Sequence, residues 1–203
     1  VIYLTQVSSS PAVMDLVRSH PKIGLLLTPR EGRTGVEGVT WGADNSAFTG
    51  QYPGDEKFLR WLDRKLYLRE WCRFVTAPDV VGNFEATWEL SEPMLRQLRS
   101  LGWPAALVAQ DGMEESDWDC WSEIDALFIG GTTSWKLGPA LELVRQAQSH
   151  GKWVHVGAIN SRRRYWWADH HGIDSGDGTM MKRGPDKNLP RLVSWLDPVL
   201  EGM

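Results

Sequence analysis

The stretch AALVAQ, residues 105–110, holds five apolar residues and closes on a carboxamide, Gln110. An apolar run without polar alternation is the pattern of a strand covered on both faces, because both rows of side chains then meet protein. Seven further short runs end in polar or glycine residues: VIYLTQ (1–6), IGLLLTP (23–29), VTWGAD (39–44), FVTAPD (74–79), ALFIGG (126–131), WVHVGA (153–158) and GIDSGD (172–177). The last is the most polar, with Asp174 and Asp177 set among glycines. Between most runs the apolar spacing becomes helical, which predicts helices over 10–20, 55–70, 84–101, 136–150, 161–171 and 187–200. Residues 30–38 read as a glycine-rich loop, and MEESDWDCWSEI (113–124) as a short helix at most.

Strand–helix alternation implies a parallel sheet with right-handed crossovers. Eight units predict an α/β fold, a (β/α)8 TIM-type barrel occupying residues 1–203 as one compact domain. An open doubly wound sheet of six or seven strands would show the same alternation. The polar residues favour the barrel. Asp44, Asp79, Gln110, Gly130 with Gly131, Asn160 and Asp177 all fall at or just past the C-terminal ends of successive runs. A barrel gathers those ends around one mouth, where an open sheet strings them along an edge.

With 203 residues and 42% hydrophobic content the chain can bury a full core. The net charge of −4 gives no overall attraction to nucleic acid, so a polyanion site would have to be a local patch. Cys72 and Cys120 are the only cysteines and form no CxxC or Cys/His cluster, which argues against structural zinc and a disulfide framework. No run approaches the roughly 20 apolar residues of a membrane span and no signal peptide opens the chain, so the expectation is a cytoplasmic protein. The twelve tryptophans are scattered and read mainly as filling between helices and sheet.

Any one aspartate at a strand end can simply cap the following helix. As a set, carboxylates, a carboxamide and paired glycines suit a nitrogen heterocycle, whose N–H groups are donors and whose carbonyl is an acceptor. Two acids in one pocket can also divide into nucleophile and general acid/base. His155 reads as a satisfied core residue within an apolar run, and His170 and His171 as helix-end residues. No metal-ligand spacing is present, and the chemistry requires no cofactor.

The ordered series GADNSAF, APDVVG, ALVAQDG, ALFIGGT and GIDSGDGT, over residues 39–179, resembles the tRNA-guanine transglycosylase superfamily. Barrels of that family carry Asp-Ser-Gly-Gly-Phe, Asp, Val-Gln-Gly, Gly-Gly-Leu and Gly-Val-Asp-x-x-Asp in the same order. The chain looks most like the short DpdA-type relatives of phages and bacteria, which exchange guanine in DNA for a 7-deazaguanine such as 7-cyano-7-deazaguanine. The resemblance implies that Asp177 is the nucleophile at the sugar and Asp44 the general acid/base. Asp79, Gln110, Gly130 and Gly131 would bind the base, with Asp174 and Asn160 in support. DNA and a 7-deazaguanine base would be the partners, with a duplex-opening protein as a further partner and no membrane. Residues 180–203 hold no cysteine, so the family's zinc subdomain is not expected, which counts against tRNA as the substrate. The signature also departs at Asn45 and Ser46, which bears on the base taken up.

Arg162, Arg163, Arg164, Lys182 and Arg183 follow the last two runs and could grip phosphate, or form an ordinary solvated helix start and loop. Arg30 and Arg33 are further candidates. Tyr165, Trp166 and Trp167 could stack on an exposed base, although at helical spacing at least one should face the core. Three other functions fit parts of the pattern: the same exchange on tRNA, an inactive barrel that only binds nucleic acid or deazapurine, and a sugar hydrolase using two acids.

Overall fold

The computed structural model describes residues 1–31 and 35–196. Eight parallel strands close into a barrel in sequence order: β1 (Ile2–Thr5), β2 (Ile23–Leu27), β3 (Trp41–Ala43), β4 (Cys72–Thr76), β5 (Ala105–Ala109), β6 (Ala126–Ile129), β7 (Trp153–Val156) and β8 (Ser175–Asp177). Closure is made by β1 against β8, with Ile2, Tyr3 and Leu4 opposite Ser175, Gly176 and Asp177. All eight runs therefore supply a strand, and the open-sheet alternative is excluded. Among the described residues no helix is long and apolar enough to cross a membrane.

The helices are α1 (Pro11–Ser19), α2 (Asp55–Asp63), α3 (Phe84–Ser100), α4 (Thr133–Lys136), α5 (Leu141–Ser149), α6 (Arg162–His170) and α7 (Pro185–Leu196). Ser10, Asn83 and Ser161 cap α1, α3 and α6 by accepting backbone N–H groups of the first turn. Two expectations change. The helix expected over 55–70 stops at Asp63 and continues as 3-10 turns over Leu66–Trp71. There the buried Trp41 indole donates to the Leu68 carbonyl at 2.8 Å, drawing this segment onto the barrel wall. The helix expected over 136–150 is two helices, because Pro139 disfavours helical geometry at Gly138. Of the final helix expected over 187–200, residues 197–200 lie outside the described residues. The links β2–β3 and β5–β6 carry only 3-10 turns among the described residues, as the glycine-rich and acidic segments suggested.

Two apolar layers hold the barrel. Inside it, Leu4, Leu26, Phe74, Ala106 and Ala126 pack with Phe128 and Trp153. Outside it, Leu25, Leu107 and Val154 meet helix residues such as Phe58, Leu95 and Val144. Burying each of the larger side chains contributes about 1.5–3 kcal/mol. Phe74 can reach across the interior because Gly42 faces its ring; a Cβ there would collide with it. The lower barrel is thus filled, and its free space lies at the C-terminal mouth.

Candidate active site

At that mouth a cavity of about 170 Å³ is lined by Asp44, Asp79, Gln110, Gly130, Gly131 and Asp177, the six residues read from the sequence as catalytic or base-binding. Residues placed there without being anticipated as site residues include Asn45, Phe48, Val81, Phe128, Lys136 and Ala158. Phe48 is 80% exposed and Val81 49%, so the rim is apolar while the floor is polar.

One wall is a carboxylate–amide cluster. Asp79 Oδ2 accepts from Gln110 Nε2 at 2.8 Å, and Asp79 Oδ1 from Asn45 Nδ2 at 3.1 Å. Gln110 Oε1 accepts the backbone N–H groups of Gly82 (2.9 Å) and Gly131 (3.0 Å), which fixes the orientation of the amide. Gly131 sits at φ 59°, and a Cβ there would lie 2.6 Å from an Asp111 carboxylate oxygen. A Cβ on Gly130 would lie 2.8 Å from Gln110 Nε2. These glycines let the chain approach Gln110 closely. Burial raises the pKa of Asp79, opposed by the hydrogen bonds from Asn45 and Gln110.

Across the cavity, Asp177 ends β8. Its side chain is 18% exposed, and Oδ1 lies 3.3 Å from His155 Nε2. His155 is fully buried, with ring centroids 4.6 Å from Phe74 and 4.5 Å from Phe128. Its Nδ1 lies 2.9 Å from Ser175 Oγ, which accepts the Trp153 indole N–H at 2.9 Å. Burial lowers the His155 pKa, with Asp177 opposing, so the neutral ring is favoured. A carboxylate can only accept, so with Asp177 ionised the proton sits on Nε2 and Nδ1 accepts from the Ser175 hydroxyl. The hydrogen bonds thus run in one direction, Trp153 to Ser175 to His155 to Asp177. His155 is a satisfied core residue, as its sequence context suggested, and the partner that satisfies it is the candidate nucleophile.

Asp44 is half-buried, and its Oδ1 accepts the Ser46 N–H at 2.6 Å, a local turn of the capping kind. Ser46 is held at φ 69°. Lys136, on α4, donates to the Gly157 carbonyl at 3.3 Å. Its pKa is lowered by burial and further by Arg164, while Asp177 and Asp111 oppose.

The supporting residues separate. Asn160 Oδ1 accepts from Thr179 N (2.8 Å) and Met180 N (3.2 Å), pinning the loop that follows Asp177. Asp174 precedes β8 at the opposite end of the barrel, where Oδ2 accepts the Val154 N–H at 2.8 Å. Three strand residues span about 10 Å, so Asp174 ties β8 to β7 and does not orient the site loop.

The basic residues also divide. Arg163, Lys182 and Arg183 are exposed, Arg162 lies over the Trp166 ring at 4.1 Å, and Arg164 lines a narrow pocket beside the cavity. Tyr165 is buried and donates to the Val1 carbonyl at 2.8 Å, Trp167 packs partly against the core, and Trp166 is 43% exposed. Arg30 is exposed and Arg33 lies outside the described residues. Among the described residues no group of three His, Cys, Asp or Glu side chains is placed to hold a metal ion.

No protein-family model and no curated protein matches the chain. Among solved structures it is similar to the Amycolatopsis orientalis BexX/CysO complex, with TM-score 0.54 and 15% identity over 100% of this chain and 93% of that one. It also aligns with a PaMucR phosphodiesterase in complex with c-di-GMP, with TM-score 0.44 and 11% identity over 83% of this chain and 64% of that one. At such identities the likeness to the first shows the barrel fold alone, and the second is too distant to inform the site.

Proposed function

We propose that the protein is a DNA-guanine transglycosylase that exchanges guanine for a 7-deazaguanine, such as 7-cyano-7-deazaguanine, through a covalent bond between Asp177 and the sugar. The observation that carries this reading is the division of one cavity. A carboxylate anchored on one oxygen faces a separate Asn45–Asp79–Gln110 cluster able to read a heterocycle edge. The apolar faces of Phe48, Val81 and Phe128 suit a flat ring. The ordered motifs that resemble the transglycosylase superfamily add to this. Ser46 stands where that family's signature has its first glycine, and it adopts the left-handed backbone that glycine favours.

In the proposed reaction an Asp177 oxygen attacks the anomeric carbon as the bond to guanine N9 breaks. The bond's electron pair leaves with guanine, and protonated Asp44 supplies the proton that makes the departing base neutral. The incoming deazaguanine then returns a proton to Asp44 as its nitrogen attacks the same carbon and releases the Asp177 carboxylate. One difficult substitution becomes two easier ones, with no external energy source. Asp79 and Gln110 position the base through its N–H and carbonyl groups.

The test is incubation with 7-cyano-7-deazaguanine and either plasmid DNA or bulk tRNA, followed by digestion and mass spectrometry of the nucleosides. The deazaguanine deoxynucleoside is the expected product. The ribonucleoside would move the substrate to RNA, and neither product would reject base exchange.

A further inference from the structure

A narrow pocket opens beside the cavity, between the segments that follow β6 and β7, and its lining includes Thr133, Lys136, Ala158 and Arg164. Two cations share it on consecutive carbonyls: Lys136 Nζ donates to Gly157 O at 3.3 Å and Arg164 Nη1 to Ala158 O at 3.0 Å. Ala158 holds φ 68°, a left-handed backbone that is unfavourable for a non-glycine residue and is retained only where the surroundings impose it. Among the described residues neither cation forms an ion pair with a carboxylate. Both are half-buried; burial lowers the pKa of Lys136, Asp177 and Asp111 oppose that from beyond ion-pair contact, and Arg164 adds to it. Partly desolvated like charges with no carboxylate in ion-pair contact are unfavourable, and an anion bound between them would reduce that penalty.

We propose that Lys136 and Arg164 form a phosphate subsite that holds one phosphodiester group next to Asp177. The identity of the phosphate carrier as a nucleic acid rests on the proposed function; the anion subsite does not. Each side chain spends one donor on backbone and keeps others, which matches the several acceptors of a phosphate. Their charge also offsets the repulsion between a phosphodiester and the Asp177 carboxylate. Arg163, Lys182 and Arg183, exposed outside the cleft, would add a less directional attraction along the polymer.

The experiment titrates inorganic phosphate, deoxyguanosine 5′-monophosphate, the 3′-monophosphate and deoxyguanosine into the intact protein while following the Lys136 and Arg164 side-chain NMR signals. Phosphate and a monophosphate should shift both signals and deoxyguanosine neither, and Lys136→Met or Arg164→Met should weaken phosphate binding roughly tenfold or more. Wild-type signals that do not respond to phosphate would overturn the subsite even if a variant failed to fold. So would folded variants that bind phosphate as tightly as wild type. A single-stranded oligonucleotide with a neutral methylphosphonate on either side of the target guanine separates the sources. Weaker binding from one neutral linkage supports a backbone phosphate, and unchanged binding from both overturns it in favour of a free anion. Each variant should also lower the salt dependence of oligonucleotide binding by about one unit of log–log slope. Phosphate binding without base exchange would reject the reaction and leave the subsite standing.

Discussion

Asp79 and Asp177 both stand at the C-terminal mouth of the barrel, and the protein surrounds them differently. Asp79 has each oxygen held by a side-chain amide, and burial raises its pKa. Asp177 takes an imidazole N–H on one oxygen and keeps part of its surface open to the cavity. A carboxylate held at both oxygens is suited to a fixed acceptor. One held at a single oxygen is suited to a group that forms and breaks a bond. Environment, more than residue type, separates the two roles.

The sharpest way to break this comparison is Asp177→Asn. Its carbonyl oxygen can still accept from His155, so the fold should persist by circular dichroism while exchange falls at least about a thousandfold. Near wild-type exchange would remove Asp177 from the chemistry. His155→Phe should fit between Phe74 and Phe128 yet offers no donor. A hydrogen bond to a charged group contributes about 1.5–3 kcal/mol, so turnover should fall roughly 10- to 100-fold. His155→Gln, which keeps an N–H donor, should recover part of that loss; equal losses would show that packing alone matters. Asp79→Ala leaves the Asn45 and Gln110 amides without their acceptor and should cost about 1–3 kcal/mol in denaturant unfolding, together with weaker base binding.

The pH dependence of stability sharpens the contrast further. His155 has a folded pKa below its ordinary 6.5. Below that pH the unfolded chain gains a proton that the folded chain does not, so stability should fall as pH drops below about 6.5. His155→Phe should flatten that slope. Asp79 has the opposite sign, because its folded pKa lies above the ordinary 3.8. Its contribution favours folding below that value and is lost as pH rises through the raised pKa. Asp79→Asn should remove this acidic-range change. The smallest expected effect is that of Asp174→Asn, which should leave exchange within about twofold of wild type, because Asp174 sits at the far end of its strand. A loss like that of Asp177→Asn would overturn its placement as a barrel tie.

Much of the barrel was legible because each strand is short, apolar and closed by a polar or glycine residue. The same punctuation marked Asp44, Asp79, Gln110 and Asp177 as neighbours although 133 positions separate the first from the last. Lys136 was hidden because it follows the Gly-Gly turn on a helix of four residues, too short to show periodicity and merged in sequence with the next. His155 was seen as buried, but its partner was not. Residues 153 and 155 share one face of β7, and Gly157, in phase with them just past the strand's end, lines the cavity. A polar residue in phase with that glycine was the available signal. Asp174 misled because only the pleat and the strand start distinguish it from Asp177.

Beneath Asp177 the interior is closed by His155 between Phe74 and Phe128, with Leu4 and Leu26 below. Among the described residues that plug closes the cavity from below, so the barrel mouth is the doorway to it. In a base exchange, the departing guanine and its replacement would have to pass through that doorway in turn, never together. Free guanine lingering there would delay the newcomer, so the speed with which the rim formed by Phe48 and Val81 clears would limit how often the slot can be refilled.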